Sequence, residues 1–257
     1  MHKKKISALV VAGLLTVGVI GGTLAWFTSS DEVTNIFSTG MTNSTDPNAG
    51  IDIEENFPNS TPDENGDNVY NKPVLPGDQM VKEVKVNSTA NYNQFVRAKV
   101  TKVWKLAVAQ EGSENGPALE KGATVTHYKV VKDEKTNTEK VVYASLEMGG
   151  NGNGWKVLDE NKIKLYLDIE NADTGYKGTW TKDGEYYYYN KMLGEKQSTT
   201  NLLEKVTFES DANDNYYKNL TFEVKVEAEG VQATNGAAQD SAWSTKVPAA
   251  KVDGYME

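Results

Sequence analysis

Apolar and polar residues alternate along most of this chain, and the spacing of an amphipathic helix is scarce. Residues 221–228 put Phe222, Val224, Val226 and Ala228 on one face and Glu223, Lys225 and Glu227 on the other, which predicts a half-buried strand. Residues 94–104 repeat the pattern, with Val96, Ala98 and Val100 against Arg97, Lys99 and Thr101. Val84 and Val86 alternate with Glu83 and Lys85, and 50–54 is a short strand with Ile51 and Ile53 inward. Residues 124–131 and 139–145 flank a polar turn at 132–138 and predict a hairpin. Residues 162–169 carry Ile163, Leu165, Leu167 and Ile169 on one side. A second hairpin is predicted from 178–181 and 185–189 around Lys182-Asp183-Gly184, whose Asp-Gly step suits a tight turn.

Turn-forming residues separate these runs. Residues 56–73 are rich in Asn, Asp, Pro and Ser and are expected to form a long loop. Residues 111–117 and 149–154 are glycine-rich turns, 191–201 is a polar connector, and 211–218 has room for one short helical turn. Many short strands between such turns predict an all-β fold: an antiparallel β-sandwich, jelly-roll-like, rather than alternating β and α units. Residues 112–201 are a candidate insertion between core strands, and 236–257 form a small, polar C-terminal tail.

The N-terminus departs from this pattern. Lys3, Lys4 and Lys5 precede an apolar, uncharged run from Ile6 to Phe27 that ends in small residues, the layout of an export signal. The run is also long enough to cross a hydrocarbon core of about 30 Å, so a membrane anchor is the competing reading. No basic cluster follows Phe27, and the next charges, Asp31 and Glu32, are acidic, which favours cleavage. Cleavage between Ala25 and Trp26 leaves residues 26–40, β-leaning and extended, as a free N-terminus outside the cell. The last residues, 252–257, hold no apolar stretch, so retention at the cell is expected to come from a polymer or a partner.

The chain has 257 residues and no cysteine, so an exported fold must rest on packing and hydrogen bonds, and thiol chemistry is excluded. Formal net charge is −9, and cleavage after Ala25 removes three lysines and no acid. Such an acidic surface argues against nucleic acid and anionic lipid as partners, and no membrane association is expected after cleavage.

Catalytic constellations are not visible. Of two histidines, His2 lies in the signal and His127 in a predicted strand, where a packing or surface role is expected. There is no H-E-x-x-H pair for zinc and no G-x-S-x-G around a nucleophile. The glycines of 149–154 lack the Lys-Ser/Thr of a phosphate loop. Asp63, Asn65 and Asp67 alternate, as do Asp211, Asn213 and Asn215, but an EF-hand needs Gly at its sixth position and Glu at its twelfth. The first loop has Asn68 and Val74 there, and the second has Tyr216 and Phe222, so both are expected to be solvated turns. Trp180 and the run Tyr186 to Tyr189 offer a carbohydrate-stacking face. Alternation would place two of the four tyrosines in the core and two outside, and a hairpin packed on the sandwich accounts for them more simply. No catalytic residue, metal site or cofactor is expected.

Gly22-Thr23-Leu24-Ala25-Trp26-Phe27-Thr28, followed by Val33-Thr34-Asn35-Ile36-Phe37-Ser38-Thr39-Gly40, resembles the start of the TasA/camelysin family, and within it the BsaA-type biofilm matrix proteins. Pro76-Gly77-Asp78 before Lys82-Glu83-Val84-Lys85-Val86-Asn87, then Val96-Arg97-Ala98-Lys99-Val100, resembles that family's first core hairpin. Val226-Glu227-Ala228-Glu229-Gly230-Val231-Gln232-Ala233 and Ala242-Trp243 resemble its closing segment. The resemblance covers both ends and not residues 112–201. It implies export through a SipW-type signal peptidase and a secreted subunit of an extracellular matrix fibre at the cell surface. It further implies a homopolymer grown head-to-tail by donor-strand complementation. Carried onto this chain, the polymerisation strand is 26–40, with Trp26, Phe27, Val33, Asn35, Ile36, Phe37 and Gly40 as its marked positions. The organisation that follows is a signal at 1–25, an exposed donor segment at 26–40, a sandwich at 41–235 and the tail. Some camelysin relatives are metallopeptidases, so a camelysin-like cell-surface peptidase is the alternative. A Lys–Asn amide cross-link is a separate expectation for an exported sandwich without disulfides, with Asn35 and Lys99 or Lys225 as candidate partners. For each lysine, a place at the surface is the plainer reading.

Overall fold

The computed structural model of the chain describes residues 21–25, 50–62, 68–132, 138–146, 153–212 and 215–233. In chain order the strands are β1 (Gly21–Ala25), β2 (Ile51–Asn56), β3 (Ser60–Pro62), β4 (Asn68–Tyr70), β5 (Gln79–Ser88) and β6 (Gln94–Leu106). They continue as β7 (Thr124–Val125), β8 (His127–Lys132), β9 (Glu139–Ala144), β10 (Lys156–Val157) and β11 (Ile163–Leu167). The last are β12 (Trp180–Asp183), β13 (Tyr186–Tyr189), β14 (Leu203–Phe208) and β15 (Leu220–Gln232). Two short 3-10 turns, Glu160–Lys162 and Asn215–Tyr217, complete the described elements, the second inside the segment expected to hold one helical turn.

The fold is the all-β, antiparallel sandwich that the alternation predicts. A large sheet runs β12-β13-β6-β15-β1-β4-β3, with β7 also on β6, and faces a four-stranded sheet, β11-β14-β5-β2. A small sheet, β10-β8-β9, stands beside them. The backbone of the large sheet is the β6–β15 pair, in register from Leu220↔Leu106 to Gln232↔Gln94. Val96, Ala98, Phe222, Val224, Val226 and Ala228 enter the core from this sheet, and Ile51, Ile53, Val84, Val86 and Val206 enter it from the other. Burying such β-branched and aromatic side chains between two sheets is what the period-2 pattern serves. The close approach is tight at Gly230, where a Cβ would lie 2.5 Å from Gln94 Oε1 and 2.9 Å from Ile51 Cγ2.

Four expectations are corrected. First, β5 and β6 are not a hairpin: they belong to opposite sheets. Each has one apolar face, and an arch across the core lets those faces meet. The arch is held by the amides of Thr89 and Ala90 on the Gly50 carbonyl and by Gln94 Nε2 on that same carbonyl. Second, residues 56–73 are not simply a loop, for they carry the β3–β4 hairpin, with Phe57 stacked on Tyr70 at 5.6 Å. Its strands are three residues each, too short to show alternation. Third, β14 lies inside the four-stranded sheet although no alternation marks it. A register shift between Leu203 and Lys205 breaks the period, so Leu202 and Leu203 are both buried. Fourth, the tyrosine run does alternate, but both faces are covered. Tyr187 and Tyr189 join the main core, while Tyr188 packs with Phe95 and Val231 in a second cluster that Tyr186 borders.

The Asp-Gly hairpin forms as expected, with Asp183 opposite Tyr186 and Gly184 at φ 59. Residues 112–201 supply strands to all three sheets, so in space they are part of the sandwich. The tail 236–257 lies outside the described residues.

Candidate functional site

The feature that bears on function is a strand position in the large sheet. β15 pairs along its whole length with β6 on one edge. Its other edge receives β1, antiparallel, in the register Gly21↔Val226, Gly22↔Lys225, Thr23↔Val224, Leu24↔Glu223 and Ala25↔Phe222. β1 in turn pairs in parallel with β4 through Leu24↔Val69. The position between β15 and β4 is therefore filled by the last five residues of the segment read as an export signal. The sequence expectation removes those residues; the structure places them as a strand.

The position has a base and a wall. Its base is β15, whose Phe222, Val224 and Val226 are at most 1% exposed. Its wall is the β3–β4 hairpin, whose Tyr70 stacks on Phe57. Two other sheet ends, β2 and β3, are less suited to receiving a strand. β2, at the end of its sheet, carries outward Asp52 and Glu54. Burial and the nearby Glu54 hold the Asp52 carboxyl above its usual range, against a hydrogen bond from Asn87. β3 has three residues and ends in Pro62, which donates no backbone hydrogen bond.

The polar interior of this wall was not anticipated from the sequence. Lys82, on β5, is completely buried, and its Nζ meets Glu55 Oε1 from β2. The Glu55 side chain is 4% exposed, and its Oε2 accepts a hydrogen bond from Asn68 Nδ2 on β4 at 3.2 Å. The Phe57 ring centroid lies 4.9 Å from Lys82 Nζ. A signal existed: carrying the Val84/Val86 alternation back one step places Lys82 inward, and carrying Ile51/Ile53 forward places Glu55 inward. Charge made both look like surface residues.

The residues singled out from sequence fall as follows. Ala25 ends β1, opposite Phe222. Trp26, Phe27, Val33, Asn35, Ile36, Phe37 and Gly40 lie outside the described residues, as do Asp63, Asn65, Asp67 and residues 149–152. Lys99 and Lys225 are on outward faces, the first paired to Glu185 at 2.8 Å and the second to Glu227 at 2.7 Å. Their side chains remain 31% and 36% exposed, so neither sits in the dry site that amide formation needs. His127 is buried on β8, with Thr126 Oγ1 2.8 Å from its Nδ1. It borders an open cavity of about 580 Å³ lined mainly by Trp104, Val125, Leu146, Val157 and Leu158. Asp211 binds Lys162 at 2.7 Å. Among the described residues no three of His, Asp and Glu come together as a metal site, and no helix is long and apolar enough to cross a membrane.

A buried carboxylate, Asp168, organises the junction between β11 and β12. It accepts hydrogen bonds from the Tyr176 and Thr200 hydroxyls and from Thr179. Burial alone would raise its pKa, but the donors from Thr179, Tyr176 and Thr200 together hold it below the usual carboxylate range. Gly178 passes so close that a Cβ there would lie 2.5 Å from the Asp168 carbonyl oxygen. This cluster is structural, since its donors satisfy the carboxylate. Compared with protein-family models, with curated proteins and with solved structures, the chain matches none of them.

Proposed function

We propose that this chain is a structural subunit of a secreted extracellular matrix fibre, assembled head-to-tail from copies of itself by an N-terminal donor strand. The observation that supports this reading is the strand position between β15 and β4, occupied by a segment from the chain's own N-terminus. In the proposed sequence of events a SipW-type signal peptidase cuts after Ala25, and β1 leaves with the signal. The freed edge of β15, with Phe222, Val224 and Val226 beneath it, then accepts residues 26–40 of another subunit. Main-chain hydrogen bonds supply affinity, and the alternate side chains of the incoming strand supply register. Donor and acceptor are different surfaces of one chain, so the contact is heterologous and the polymer is open-ended. On this reading the protein is not an enzyme.

The test is negative-stain microscopy of two secreted forms, one beginning at Trp26 and one beginning after Gly40. The first should form fibres and the second should remain a folded monomer. A synthetic peptide spanning 26–40 should shorten the fibres of the first. Fibres of normal length from the second form would overturn donor-strand assembly.

A further inference from the structure

The buried Lys82–Glu55 pair, with the half-buried Asn68 beside it, has the parts of a self-catalysed cross-link. Fully buried lysines are rare, and a buried ion pair is by itself poor value for stability: apolar residues of the same volume serve as well or better. What distinguishes this pair is the third group. Each oxygen of one carboxylate holds a different reactant, the Lys82 amine on Oε1 and the Asn68 carboxamide on Oε2. The three groups come from β5, β2 and β4, and the Phe57 ring lies over the amine and stacks on Tyr70. The amine and the carboxylate are buried, the carboxamide is half-buried, and an aromatic pair borders the three strands that hold them.

We propose that Lys82 and Asn68 condense to an intramolecular amide, with Glu55 as the acid–base group. Glu55 takes one proton from the Lys82 ammonium, and the neutral amine attacks Asn68 Cγ. The Nζ–Cγ bond forms, and a second N–H proton passes to the departing nitrogen through the Glu55 carboxyl. The Cγ–Nδ2 bond then breaks, and ammonia leaves. Nothing is oxidised or reduced, and no cofactor takes part. Holding amine and carboxamide on one carboxylate supplies the proximity that the uncatalysed reaction lacks. Burial of Lys82 and Glu55 strengthens the carboxyl's influence on the amine.

The bond would join the two sheets, since β5 belongs to the four-stranded sheet and β4 to the large one. It would tie the β3–β4 wall to the core in a chain without cysteines. The inference concerns one chain alone and stands apart from the fibre reading.

The experiment is intact-mass spectrometry of the purified full chain, followed by sequencing of its tryptic peptides. The expected mass is that of the sequence less one ammonia, with a branched peptide joining Lys82 to Asn68 of the same chain. Asn68→Ala should restore the unlinked mass, and Glu55→Gln should do so while the circular dichroism stays that of a β-protein. An unmodified mass for the natural chain would overturn the proposal, whatever the variants do. So would a branched peptide joining Lys82 to any other residue, Asn35 of a second copy included. Full linkage in Glu55→Gln would remove Glu55 from the chemistry.

Discussion

Single residues carry much of this fold through buried polar contacts. Arg97 is 4% exposed and donates from Nε to Glu229 Oε2 at 2.6 Å, with its guanidinium carbon 4.0 Å from the Tyr186 ring centroid. Glu229→Ala leaves that guanidinium buried without its anion, and should lower stability by about 3 kcal/mol in urea unfolding. Exposed pairs such as Lys177–Glu170 should cost at most about 1 kcal/mol when broken. Asp168 contributes to the pH dependence. Its pKa is lower in the folded chain than in the unfolded one, so its contribution is present above the unfolded value of about 3.9 and is lost as pH falls further. Urea midpoints measured downward from about pH 5 should therefore fall less steeply in Asp168→Asn than in the natural chain. An unchanged slope would remove Asp168 from the acid response. At this scale the sequence is hardest to read: Lys82 and Arg97 look like surface charges until a second strand covers them. Both belong to alternating runs, but only the packing partner shows which face of each is wet.

Whole strands were far more legible. β2, β5, β6, β11 and β15 follow from period-2 patterning, β8 and β9 from the polar turn between them, and the β12–β13 turn from Asp-Gly chemistry. The misses have separate causes. β14 was hidden by its bulge, β3 and β4 by their length, and the β5–β6 arch because adjacency in sequence favours a hairpin until the two apolar faces are made to meet. The strand beside β15 was not anticipated: residues 21–25 read as the end of an export signal, whereas the structure places them as β1. Hydrogen exchange separates the two occupants. With Gly21–Ala25 present, the amides of 222–226 that face β1 should be protected. In a monomer beginning at Trp26 they should exchange at least about tenfold faster, corresponding to about 1.4 kcal/mol of lost protection, and in fibres the protection should return. Equal protection in the monomer and the fibre would mean that the edge of β15 is never open.

For the molecule as a whole, charge and connectivity set how copies meet. A chain beginning at Trp26, as the fibre reading proposes, would be more acidic than the full sequence, which carries −9. Like-charged subunits repel over about 8 Å at physiological ionic strength and farther at low salt. Fibre growth followed by light scattering should thus accelerate as salt rises from low to physiological levels, while a growth rate indifferent to salt would show that encounter is not charge-limited. Connectivity adds an asymmetry. Among the described residues the β3–β4 hairpin joins the large sheet through β1, because the order is β15-β1-β4-β3. Whichever strand fills that position is a keystone: with it gone, the hydrogen-bonded order is broken between β15 and β4, and the hairpin has lost its neighbour. A polymer built this way has chemically unlike tips. Every interior subunit is complete, the tip that offers a donor is complete except for its own free arm, and the tip that awaits one ends in an unsupported hairpin. On the fibre reading, the amides of β3 and β4 would open most readily at that tip, so the fibre would loosen from one end.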